Sequence, residues 1–239
     1  MRNYISNAEL EELGEGIILG YTKGETDKLE RIDIEGLITE YLHLAIEYKR
    51  FAEDDMSKIG FLANGITPLC IYSGNRKIER VFGKGTIVLD SFLLRKEESG
   101  RRRFTLSHEA AHWLLERHNP PQVAFRTEYD EEQEYSVKEL RRMFSMMESQ
   151  ADRLAAVMLM PEYTVRNALR RYAGTSRIKV YGNSVFAQKE KIAMQRMADH
   201  MGVSWSALYY RLKELNLLEP RDIQEYLSEN LKLGVIPFV

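Results

Sequence analysis

The stretch FTLSHEAAHWLLER, residues 104–117, constrains the fold more than any other part of this chain. It carries two histidines four residues apart, with a glutamate directly after the first: His108, Glu109 and His112. On a helix a step of four residues advances about 40° beyond a full turn, so the two imidazoles project side by side and two ring nitrogens can meet one metal ion. Glu109 points about 100° away, off the ligand arc yet within reach of a water on that ion. The spacing is that of an HExxH zinc motif. Phe104, Ala111, Leu114 and Leu115 fall on the same arc as the histidines, so that arc is expected to be buried. A single histidine on such a face reads as a core imidazole bonded to a carbonyl. Two at metal spacing point to a metal site.

A catalytic zinc takes three protein ligands and keeps a fourth position open. The third should be a carboxylate or histidine on another helix, and the run ELRRMFSMMESQADRLAAVMLM, residues 139–160, supplies it. On a helical wheel Leu140, Phe144, Ala151, Ala155 and Leu159 share an arc with Glu148 and Asp152. Two carboxylates buried on an apolar face would cost several kcal/mol per ion without compensation, so the pattern asks for a metal or hydrogen-bonding partner. Alanines at 111, 151 and 155 let two helix backbones come close. Glu148 is therefore assigned as the third ligand. Asp152, one turn later, is placed to accept the distal N–H of a ligating histidine and fix its tautomer.

HExxH followed by Glu-x-x-x-Asp resembles the gluzincin arrangement. FTLSHEAAHWLL and ESQADRLAAVMLMP resemble the two signature segments of the ImmA/IrrE family of metallo-endopeptidases. The resemblance covers about residues 66–161 and carries over to His108, Glu109, His112, Glu148, Ala151, Asp152, Met160 and Pro161. It implies an α+β fold: a small antiparallel sheet packed on a helical zincin-like core, followed by a helical, helix-turn-helix-like block. It further implies zinc as cofactor and, as substrate, a helix-turn-helix repressor often encoded nearby on mobile elements. The segment 119–142 is longer than the family pattern, so nothing about the cleft there is carried over.

The chain of 239 residues is 44% hydrophobic and 29% charged, which describes an ordinary globular protein of one or two domains. Its 34 basic and 36 acidic residues leave a net charge of -2, with no global pull toward nucleic acid or anionic membrane. The single cysteine, Cys70, cannot close an intramolecular disulfide, and it lies in an apolar run without a nearby histidine, so it reads as a small buried hydrophobe. Absence of a signal peptide or long apolar span points to the cytoplasm.

Two domains are expected: residues 1–172, the peptidase domain with N-terminal helices and the small sheet, and 173–239, a helical region. NAELEELGEGIILGYTKGE reads as a short helical pattern broken by Gly14, Gly16, Gly20 and Gly24. A helix is expected near residue 37, leading into a strand-like LAIEY, with His43 on the packing face. TPLCIYS, KIERVF and GTIVLD read as strands of the sheet, whose edge offers a place for an extended substrate strand. EESGRRR reads as a solvated loop. Asn119, Pro120 and Pro121 stop the metal helix, and the acidic FRTEYDEEQEYS beyond them reads equally as a lid or as an idle insertion. Residues 174–182 read as a break. Residues 187–218 are helical, and Ala198, Gly202 and Val203 stand at helix-turn-helix spacing. Few cations occupy the second of those helices, so a structural or partner-docking role is favoured over DNA reading. The tail LKLGVIPFV is apolar and expected to dock against the body.

Zinc peptidases often add a Tyr or His donor for the oxyanion, and Tyr163, Tyr129 and His118 are the choices. Two functional classes remain. One is an intracellular zinc metallo-endopeptidase, with protein as partner and no membrane. The other is a DNA-binding or protein-binding regulator with a non-catalytic zinc site. Structural zinc sites are generally closed by four ligands and rich in cysteine, whereas three ligands and a glutamate base are found here, which favours the peptidase.

Overall fold

A computed structural model describes residues 5–25, 31–53, 58–118 and 137–230. The chain divides into two compact units, Met1–Pro161 and Glu162–Val239. The fold is mixed α+β, as expected, with small sheets set among helices.

The first unit opens with α1, Asn7–Tyr21, which runs straight through three of the glycines expected to break it. A capping box starts it: Ser6 Oγ accepts from the Glu9 amide, and Glu9 returns a bond to the Ser6 N–H at 2.7 Å. What holds the helix past its glycines is packing. Leu10, Gly14, Ile17 and Ile18 are buried, and α1 lies against α4, Val137–Leu159. At Gly14 a Cβ would fall 2.5 Å from Val157 Cγ1, so the glycine is what lets the two helices meet. At Gly20 a Cβ would collide with the Tyr41 hydroxyl.

The short α2, Ile34–Gly36, capped by Asp33, continues as a wide turn over Leu37–Tyr41. His43, expected on the packing face, is exposed and takes up φ 56° where the chain turns toward the sheet. The strands follow as β1 Ile46–Lys49, β2 Gly60–Leu62, β3 Pro68–Ser73, β4 Arg76–Val81 and β5 Ile87–Asp90. Antiparallel pairing, the expected form, holds for β2 with β5 and for the β3–β4 hairpin, while β1 joins β5 in parallel. In the hairpin Gly74, at φ 59°, occupies a turn position that few other residues adopt. Ala63, Leu69, Ile71, Phe82 and Val88, with Phe51 and Phe61 against them, form the core beneath these strands.

The metal-motif helix, α3, spans Ser99–His118, so most of the charged stretch expected as a loop is its first turn. Arg103 there is buried and donates to the Ile32 carbonyl at 2.7 Å. α3 packs on α4 on one side and on β2 and β5 on the other. Leu106, Ser107, Ala110, Ala111 and Leu114 form its buried stripe. The acidic stretch after the motif helix and the tail 231–239 lie outside the described residues.

In the second unit α5, Glu162–Ala168, runs on as a wide turn to Ala173 and stops at Gly174, which is left-handed at φ 64°. The expected break at 174–182 contains a strand: β6, Ile178–Tyr181, pairs in parallel with β7, Leu218–Arg221. That pairing spans about forty residues, which local pattern cannot reveal. Between the strands lie α6, Gln188–Met201, and α7, Trp205–Glu214. Their junction has the expected helix-turn-helix form: Ala198 is fully buried, Gly202 is left-handed at φ 66°, and Ser204 caps α7 by accepting from the Ala207 amide. Val203 is only half-buried. α8, Ile223–Asn230, completes the unit. No helix among the described residues is long and apolar enough to cross a membrane.

Two glycines of α1 should respond to alanine with opposite signs. Gly16 is exposed, and a Cβ there meets nothing within 4 Å, so Gly16→Ala should stabilise by about 0.5–1 kcal/mol through helix propensity. Gly14→Ala should instead destabilise by about 1–3 kcal/mol through overpacking on Val157. Denaturant midpoints of the two variants check the pair, and equal shifts of the same sign would refute this account of the α1–α4 contact.

Candidate metal centre and active site

α3 and α4 run antiparallel where they meet, since Ser107 lies against Ala155 and His112 against Glu148. Small residues favour the close approach: Ala111 on α3 and Ala151 and Ala155 on α4 are all fully buried. Ser107 Oγ donates to the Ala155 carbonyl at 3.1 Å, a buried bond that ties the two helices directly. Leaving that hydroxyl unpaired would cost about 1–3 kcal/mol, so the register of the pair is well held.

One and two turns from this contact the helices face a cavity of about 500 Å³. The Nε2 atoms of His108 and His112 are 3.0 Å apart, and Glu148 places its carboxylate oxygens 3.2 Å from the first and 3.4 Å from the second. Tetrahedral zinc with bonds of about 2.0–2.1 Å separates its ligand atoms by about 3.3–3.4 Å, so the three donors stand at the spacing one such ion requires. Asp152 Oδ1 lies 2.9 Å from Nδ1 of His108, where the ring N–H donates to it. That bond leaves the Nε2 lone pair of His108 facing the other two donors, the tautomer a metal needs. The donor set is therefore one that fits a metal ion: His108, His112 and Glu148.

The burial expected for the two carboxylates does not hold. The side chains of Glu148 and Asp152 are 59% and 57% exposed, while those of His108 and His112 are near 20%. The buried stripe of α4 includes Ala151, Leu154, Ala155 and Met158, while the two carboxylates line the cavity. The case for a metal thus rests on convergence of donors and not on an uncompensated buried charge.

Glu109 occupies a different environment. It is buried on the sheet side of α3 and is not among the three converging donors. Burial pushes its carboxyl up to about 7; Glu148 adds to the rise, while His108, a bond from the Leu62 amide and Lys58 oppose it. For His108 burial pulls down, but the Asp152 bond and the charges of Glu109, Asp152 and Glu148 outweigh it and leave the imidazole above its ordinary value. His112 is held below, first by burial and then by the neighbouring His108. A buried carboxyl beside three converging donors that fit a metal stands where it could transfer a proton.

The cavity has a wall that the motifs do not announce. Lys58, Gly60, Phe61 and Leu62, in and beside β2, line it opposite α4. A glycine inside an apolar run signals close backbone approach, and IGFL carries that signal, but its partner lies more than forty residues away on α3. Of the three oxyanion choices, Tyr163 is in α5 of the second unit with its side chain half-buried, His118 ends α3 with its side chain outside the described residues, and Tyr129 lies outside them altogether.

Replacing Glu148 with alanine leaves two donors and should abolish stoichiometric divalent metal binding, read by metal analysis of purified protein. Asp152→Ala keeps all three donors but frees the His108 ring, so metal affinity should fall by about 10- to 100-fold in competition with a chelating dye. Equal affinity in the Asp152 variant would show that the tautomer is set elsewhere.

No curated protein matches the chain. Residues 92–213, just over half of it, match the Peptidase_M78 family, described as the IrrE N-terminal-like domain. The match takes in both α3 and α4, which carry the converging donors, and continues through the helix-turn-helix of α6 and α7. This chain therefore belongs to the ImmA/IrrE family of metallopeptidases.

Proposed function

We propose that the protein is an intracellular zinc metallo-endopeptidase whose substrate is a helix-turn-helix transcriptional repressor, cut to relieve repression. The observation that carries the reading is the meeting of His108, His112 and Glu148 at ligand spacing beside a separately buried Glu109. His108, His112 and Glu148 would hold a zinc ion, which would supply Lewis-acid polarisation of the scissile carbonyl and activation of the attacking water. Glu109 takes the proton of the attacking water as its oxygen bonds the carbonyl carbon. It then delivers that proton to the amide nitrogen as the C–N bond breaks, and the water's second proton passes from the new carboxylic acid to the amine, so the products are a carboxylate and an ammonium group. Asp152 keeps the His108 ring oriented throughout.

A protein substrate is supported by the cavity wall. β2 is an outer strand of its sheet, and such a strand can present to an extended peptide the backbone groups that its neighbours and Glu109 leave free. That the peptide belongs to a repressor rests on the family resemblance. DNA binding is less well supported: of the two cations on α7, Arg211 is buried and paired with Glu214, leaving Lys213 exposed, and phosphate contacts need more positive charge than that.

Glu109→Gln keeps the side-chain shape but cannot accept a proton. It should retain zinc and fold while lowering cleavage by about 10²- to 10⁴-fold. Co-expression with a neighbouring helix-turn-helix repressor reads this out as intact repressor and persistent silencing with the variant, against cut repressor with the parent. If parent and variant derepress equally with the repressor uncut in both, regulation is by binding and not by proteolysis.

A further inference from the structure

We infer that the backbone of β2, through the absent side chain of Gly60 and the amide of Leu62, positions the Glu109 carboxylate; the inference rests on the reading of Glu109 as general base. The strand register assigns the edges. The Asp90 amide donates to the Ile59 carbonyl and the Ala63 amide to the Thr86 carbonyl, each at 2.9 Å, and Phe61 stands opposite Val88 between them. In an antiparallel pair these alternate residues spend their backbone groups on the partner strand, so those of Gly60 and Leu62 turn to the other edge. That edge faces α3 and the cavity.

There the Leu62 N–H donates to Glu109. Gly60 stands directly against the same side chain: a Cβ on it would lie 2.5 Å from Glu109 Oε1, 3.3 Å from Glu109 Cδ and 2.5 Å from Thr105 Cγ2. Gly60 does not have a left-handed backbone, so its lack of a side chain serves this contact and not a turn. Thr105 cannot readily give way, because it is buried one turn earlier on α3 with its hydroxyl bonded to the Arg101 carbonyl at 3.0 Å. The movable atom is the Glu109 carboxylate. A methyl group at position 60 would displace it from the Leu62 amide.

The inference makes Gly60 a positioning residue, and amide hydrogen exchange on the full chain tests it without calling on activity. In both Glu109→Ala and Gly60→Ala, protection of the Leu62 amide should fall by about 10- to 100-fold, the worth of one charge-assisted hydrogen bond, while the Phe61 amide, bonded to β5, keeps its protection. Gly60→Ala should also keep its zinc and lose about 10-fold or more in kcat with KM little changed. Unchanged Leu62 protection in Glu109→Ala would overturn the inference, as would joint loss at Leu62 and Phe61 in Gly60→Ala, which would signal a disrupted strand. If the exchange pattern holds but the parent cleaves no peptide, the positioning stands and the peptidase reading fails.

Discussion

The contact between α3 and α4 is the constraint on which the rest depends. Three buried alanines, Ala111, Ala151 and Ala155, favour the close approach of the two backbones, and the bond from Ser107 to the Ala155 carbonyl ties their register. Because the helices are antiparallel, each step of one turn along α3 toward its C-terminus is matched by one turn back along α4. That counter-running places Asp152 against the first histidine and Glu148 against both. A bulkier residue at these alanine positions would overpack the contact and strain the approach of ring and carboxylate.

The opposite flank of α3 does different work. Where the histidines look toward α4 and the open cavity, Glu109 is turned by one residue step into the space beneath β2. That rotation gives the histidines and the glutamate different surroundings, and in the proposed peptidase it separates metal binding from proton transfer. The Glu148 carboxylate is left largely exposed, while that of Glu109 is buried and raised to about 7. Sheet and helix pair thus each contribute one half of the site, and α3 belongs to both.

Much of this was legible from local pattern. The convergence of the i, i+4 histidines with the carboxylates of α4 could be read because helical spacing projects directly into space, but of the arc expected to be buried only Ala111 and Leu114 are, with Phe104 and Leu115 half-buried. The helix-turn-helix of α6 and α7 was legible for the same reason, in Ala198 and Gly202. Local pattern misled where packing overrode propensity. Glycines at 14 and 20 would weaken an isolated helix, yet α1 runs through them because Val157 and Tyr41 fill the space a Cβ would need. It misled again for β6, whose partner strand follows two helices later.

By itself, then, the sequence determined which chemistry the chain can carry: two imidazoles and a glutamate at one-turn spacing on one helix, two further carboxylates at the same spacing on another, and glycine and alanine where backbones must come close. These are properties of single helices, and helical geometry is the same in any protein. Only the tertiary structure decided how exposed Glu148 and Asp152 are, that Nδ1 of His108 is held by Asp152, and that Glu109 rests against Gly60 and Leu62. Each of these depends on which element lies opposite, and contacts between residues forty or more positions apart are set by the packing of the whole core, not by any local run of residues.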